Sequence, residues 1–104
     1  MSIVLQFVFK PVPGSDLAQI IEHAKVVARL WKKHGAKEVS LWTVSTGEMG
    51  NMAFTVPFET YSEYGKCIDA LHVDPEFRKW QAESIKTGMT EWVRGNIARK
   101  VPLD

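Results

Sequence analysis

The residues with chemistry to offer are few, and their spacing says more about what they do not build. His23, His34 and His72 are the histidines and Cys67 is the single cysteine. No two histidines sit on one helical face with an acidic partner, and Cys67 has no second thiol, so no metal site is expected. A nucleophilic Cys67 needs a base beside it, but the helical register sets it against the apolar Tyr64 and Ile68 stripe, where a free cysteine behaves as a small hydrophobe. His23 follows Glu22 on the flank of the first helix, and the Lys32-Lys33-His34 run complements the carbonyls at that helix's end. His72 is the histidine with a prospect of acid-base work, because it stands at a break between two helices where a ring could enter a cavity.

A second constellation is aromatic and polar. Gln6, Trp42, Asn51, Thr55, Trp92, Arg94 and Asn96 all fall on expected strands. If they converge on one sheet face, they offer stacking surfaces, amides and a cation to a flat organic molecule. His72, Trp42 and Arg94 then become base, stacking platform and anion or carbonyl partner. Gln6, Asn51, Thr55, Tyr64, Trp92 and Asn96 become the substrate-binding set. The same residues equally suit a wet interface between two chains.

The elements that must position these groups follow from periodicity. Ile3 to Lys10 alternates as a strand, with Ile3, Leu5, Phe7 and Phe9 on one face and Val4, Gln6, Val8 and Lys10 on the other. Pro11-Val-Pro-Gly14 breaks it. Ser15 or Asp16 caps a helix whose Leu17, Ile20, Ile21, Ala24, Val27, Ala28 and Trp31 keep three-and-four spacing as far as Gly35. Residues 37–45 and 51–58 are β-prone and flank the glycine-bounded segment Thr46-Gly-Glu-Met-Gly50, which predicts an antiparallel hairpin. Thr60 and Glu63 have the form of a capping box before Tyr61, Tyr64, Ile68 and Leu71. Asp74-Pro75 restarts the chain as a helix carrying Phe77, Trp80, Gln81 and Ser84 on one face until Gly88. A last strand runs from Met89 to Val101.

The order is strand, helix, strand, strand, broken helix, strand, which predicts a single α+β domain over 1–104: a ferredoxin-like βαββαβ fold with a four-stranded antiparallel sheet and helices on one face. The uncovered face is expected to carry Val4, Val8, Trp42, Val44 and Trp92, more apolar surface than a monomer leaves in water. Two such sheets packed face to face would bury it.

Composition restricts the function classes. With 104 residues and 45% hydrophobic content, a lone domain buries only a modest share of its surface, so a partner helps. A net charge of +1, from 13 basic and 12 acidic side chains, gives no general attraction to nucleic acid, and the basic-aromatic RNA-binding motif is missing from the first and third strands. Met1 to Phe9 has no basic region before it and no cleavage site after it, so it reads as a strand and not a signal peptide. No stretch approaches the roughly 18 apolar residues of a membrane span. The lone cysteine suits a reducing, cytoplasmic setting.

Two runs carry a resemblance. Gly47-Glu-Met-Gly-Asn-Met-Ala-Phe-Thr-Val-Pro-Phe-Glu-Thr-Tyr-Ser-Glu-Tyr-Gly65 and Leu71-His-Val-Asp-Pro-Glu-Phe-Arg-Lys-Trp80 resemble the dimeric α+β barrel proteins, NIPSNAP-like members above all. The resemblance implies a homodimer whose sheets form a barrel, with a small-molecule pocket between sheet and helices or inside the barrel. Cofactor-free oxygenases of that superfamily use aromatic and amide side chains in such cavities, and haem-degrading relatives use an asparagine, a tryptophan and a histidine. Here Gln6 stands where the first-strand asparagine belongs, and His72 lies too near the Asp74-Pro75 helix start, so neither haem nor another cofactor is expected. Two readings follow: a dimer, either binding a small hydrophobic or aromatic molecule or purely structural, and a cofactor-independent monooxygenase or isomerase acting on an aromatic or polyketide-like substrate.

Overall fold

The structure is a computed structural model, and it describes residues 2–47 and 49–104. Met1 of the first apolar run and Glu48 of the expected hairpin turn lie outside the described residues. The element order is β1 (Ile3–Pro11), α1 (Leu17–Lys33), β2 (Ser40–Thr43), β3 (Met52–Phe58), α2 (Tyr61–His72), α3 (Pro75–Thr87) and β4 (Thr90–Arg99). The strands pair antiparallel in the spatial order β2-β3-β1-β4, the ferredoxin-like arrangement.

Local chemistry sets the helix boundaries. Asp16, not Ser15, is the N-cap of α1: its carboxylate accepts from the backbone N–H of Ala18 at 3.0 Å and Gln19 at 3.4 Å. Ser15 instead donates its hydroxyl to the Met89 carbonyl at 3.2 Å, tying the start of α1 to the residue before β4. Thr60 accepts from the Glu63 N–H at 3.1 Å, and Glu63 reaches back one residue further than a standard capping box, to the Glu59 N–H at 3.1 Å. Gly65 does not interrupt α2, because the ends of the helix are satisfied and its inner face is buried at Cys67 and Leu71. Gly88 ends α3 at φ +61, a backbone geometry that side-chain-bearing residues rarely adopt.

The core lies between one sheet face and the helices. Leu30, Val56 and Leu71 have no exposed surface, and each contributes roughly 1.5–3 kcal/mol of transfer free energy. Cys67 is 1% exposed, donates to the Trp31 carbonyl at 3.6 Å, and burial pushes its thiol pKa up. It packs as the hydrophobe its register implied.

Two strands are shorter than expected. β2 covers four residues of the expected nine because it is an edge strand with one neighbour, although Val44 still bonds the Asn51 carbonyl at 2.9 Å just past its end. The larger departure is in β4. Val8 pairs with Arg94 but Phe9 pairs with Trp92, so Val93 is an extra residue and the strand bulges there. Everything before the bulge changes face. Trp92 therefore lies on the helix side with Phe9, not on the outer face with Trp42.

The uncovered face is correspondingly less apolar than periodicity implied. Trp92 has left it, Val44 lies beyond the end of β2, and Val8 is already buried at 5% exposure. Val4, Ala53, Pro57 and Ala98 remain partly covered beside the 58% exposed Trp42. No helix among the described residues is long and apolar enough to cross a membrane.

Candidate functional site

The covered side of the sheet does not close completely. Between α1, α3 and the β1–β4 pair lies a half-open cleft of about 360 Å3, within the range of small-molecule sites. Its aromatic lining falls into two groups of rings. Phe7 meets Trp31 at 6.4 Å and Trp92 at 5.3 Å, ring centre to ring centre, and Trp80 stacks on Phe77 at 6.0 Å.

Trp92 can lie there only because Gly95 has no side chain. A Cβ at Gly95 would sit 2.7 Å from the Trp92 ring and 3.3 Å from Phe7. The bulge turns the indole inward and the glycine provides the space under it.

The polar groups of the cleft come from the helices and from the start of β4. They are His23 on α1, His72 at the end of α2, Gln81, Ser84 and Thr87 on α3, and Thr90. The Trp80 indole N–H donates to the His23 backbone carbonyl at 2.8 Å, fixing α3 against α1. That contact brings the Ser84 hydroxyl to 3.5 Å from His23 Nδ1. His23 thus lines the cleft, half-buried, on the stripe of Ile20, Ala24 and Val27, and its expected place on the helix flank is corrected. The signal was its spacing, three after Ile20 and four before Val27. Gln81 and Ser84 were legible as sharing a face with Phe77 and Trp80, but nothing in that pattern marked the face as a cleft wall.

The site residues expected from sequence divide between the two faces. His72 lines the cleft, its ring 6.3 Å from Phe77, and Trp92 lines it too. Trp42, Thr55, Gln6, Asn96 and Arg94 share the opposite face, where the Trp42 indole donates to Thr55 at 2.8 Å and Asn96 donates to Gln6 at 2.8 Å. The sheet therefore separates His72 from Trp42 and Arg94. These three do not form one site within the chain. Tyr64 packs edge-on against Phe58 at 5.7 Å, in the apolar layer between α2 and β3, and Asn51 is buried at the foot of β3.

A charged cluster lies beyond the cleft. Asp74, the N-cap of α3, accepts from Lys33 at 3.0 Å and meets His34 at 2.6 Å, while its other oxygen accepts from the Glu76 N–H at 2.8 Å. The His34 hydrogen bond first, then those from Lys33 and the Glu76 backbone, hold its carboxyl well below the usual range. Lys33 and His34 were expected to serve the carbonyls of their own helix; their side chains reach across to the start of α3. Among the described residues, no group of three or more histidine, cysteine, aspartate or glutamate side chains is placed to hold a metal ion.

Among solved structures, the chain is similar to a NIPSNAP family protein of unknown function from Agrobacterium tumefaciens, with a TM-score of 0.76 at 10% identity over 99% of this chain and 91% of that one. An uncharacterised NIPSNAP domain protein from Burkholderia xenovorans matches with a TM-score of 0.72 at 14% identity over 96% and 93%. The chain has the NIPSNAP fold. A conserved protein of unknown function from Bacteroides thetaiotaomicron, described as a possible oxidoreductase, shares that fold more loosely, with a TM-score of 0.63 at 15% identity over 95% of this chain and 98% of that one. No protein family profile and no curated protein matches the sequence. At such identities the likeness speaks for the NIPSNAP fold and not for a reaction.

Proposed function

We propose that this NIPSNAP-fold chain binds a small hydrophobic or aromatic molecule in the cleft between its helices and sheet, as a cytoplasmic homodimer joined through the outer sheet faces. The observation carrying the ligand reading is the cleft itself: about 360 Å3, walled by Phe7, Trp31, Phe77, Trp80 and Trp92, with a few polar side chains among them. Aromatic walls with sparse polar groups are the usual composition of such sites. The dimer reading rests on Trp42, 58% exposed on a sheet face that no helix covers.

The test is fluorescence titration with naphthalene, because Trp31, Trp80 and Trp92 all line the cleft and would report its occupation. Ala24→Phe places a ring in the same space. The expected result is saturable quenching in the parent, weakened at least about tenfold in the folded variant, a loss of roughly 1.4 kcal/mol. Equal titration of both proteins, or no saturation in either, removes the ligand and leaves a purely structural dimer.

A second reading is favoured by one feature, the presence of His72 in the cleft together with His23. A cofactor-independent monooxygenase or isomerase needs a base beside an aromatic substrate, and an imidazole is suited to that role near neutral pH. In such an enzyme Trp92, not Trp42, would be the stacking platform, and Arg94 would take no part from the far side of the sheet. His72→Ala would then abolish turnover of any substrate found in a folded variant that still titrates saturably with naphthalene.

A further inference from the structure

The geometry points to a specificity that deepens the ligand reading and rests on it: the cleft selects an uncharged aromatic molecule bearing a hydroxyl group, and the His23–Ser84 pair is what reads that hydroxyl.

The first support is what the wall omits. None of the lining side chains is aspartate, glutamate, lysine or arginine, although these make up 24% of the chain. A ligand carboxylate or ammonium entering there gives up its hydration and meets no opposite formal charge to replace it. A neutral ring system loses only the weak hydration of its faces and gains contact with Phe7 and Trp92. The cleft therefore discriminates by charge before it discriminates by shape.

The second support is where the polar atoms sit. His23 and Ser84 come from different helices and are brought together by the bond from the Trp80 indole to the His23 carbonyl at 2.8 Å. At 3.5 Å, the Ser84 hydroxyl and His23 Nδ1 are at the outer limit of a hydrogen bond, and both residues line the cleft and are partly buried. A ligand hydroxyl both donates and accepts. It suits a serine O–H beside an imidazole, because each protein group can take either role as the tautomer allows. A bare hydrocarbon leaves the pair unserved, and a carboxylate offers acceptors only.

The experiment is a comparison of naphthalene, 2-naphthol and 2-naphthoate by tryptophan fluorescence and by perturbation of backbone amide signals in the full chain. Mildly alkaline solution keeps 2-naphthol protonated, as a phenol, and 2-naphthoate ionised. The expected order is 2-naphthol tightest, naphthalene weaker by about three- to tenfold, the worth of one neutral hydrogen bond, and 2-naphthoate weakest. Ser84→Ala suits a half-buried helical position and should fold normally; in it and in His23→Leu the ratio of 2-naphthol to naphthalene affinity, read within each variant, should fall to about one. The inference is overturned if 2-naphthoate binds as tightly as 2-naphthol, or if both variants keep the 2-naphthol preference. Those outcomes leave the ligand-binding reading standing. Failure of all three probes to perturb the cleft residues removes both.

Discussion

Gly95 and Trp92 show how much of the cleft depends on single residues. A methyl group at Gly95 would overlap the indole, whose nearest atom lies 2.7 Å from the added carbon. The ring is 65% exposed, so it and not the backbone should give way. Gly95→Ala is therefore expected to change stability by less than about 1 kcal/mol, since the strain is relieved into solvent. The same substitution should weaken naphthalene binding several-fold and alter the near-ultraviolet circular dichroism that arises from the Phe7–Trp92 pair at 5.3 Å. An unchanged spectrum with unchanged binding would show that Trp92 does not form the wall. Cys67 makes the opposite point. Its burial was legible from helical register alone, because a core position depends on helical periodicity and not on how two distant strands align; the Trp31 carbonyl it donates to was not.

At the scale of elements, Asp74 joins the end of α1 to the start of α3. It caps one helix and receives Lys33 and His34 from the other, beside the α2–α3 break that places His72 and Phe77 at the cleft. The folded carboxyl titrates below its unfolded value, so its stabilisation is present above about pH 4 and is lost as pH falls through the lower, folded value. Asp74→Asn should lower the melting temperature at neutral pH and flatten the loss of stability below about pH 4, measured by thermal melts across the acid range. A parallel acid limb in both proteins would contradict the assignment. The capping role of Asp74 was readable in the Asp-Pro start, as were the helices and the two faces of β1, because each is set by residues close in sequence or by unbroken alternation. The bulge at Val93 was not. Counting by twos from Asn96 through Arg94 places Trp92 outside, and only the actual pairing of Val8 with Arg94 and Phe9 with Trp92 places it inside. One inserted residue thereby divided the expected aromatic-amide site between two faces, and the His23–Ser84 pair stayed hidden because it joins helices about sixty residues apart.

At the scale of the whole molecule, the two faces of the sheet carry different side chains. The covered face holds the cleft, with Trp92 at its wall; the open face holds Trp42, bonded to Thr55, beside the Gln6–Asn96 amide pair and Arg94. If two chains join through the open faces, the polar pairs leave the contact wet at those points and Trp42 supplies its largest apolar group, the kind of residue on which interface energy concentrates. Trp42→Ala should then weaken association by roughly thirtyfold, the consequence of losing about 2 kcal/mol. Trp92→Ala, on the far side of the same sheet, should leave association unchanged and weaken naphthalene binding instead. Sedimentation of both variants over a concentration series, alongside fluorescence titration, separates the two. A Trp92→Ala protein that dissociates while Trp42→Ala remains paired would place the interface on the helix side and remove the barrel arrangement along with it.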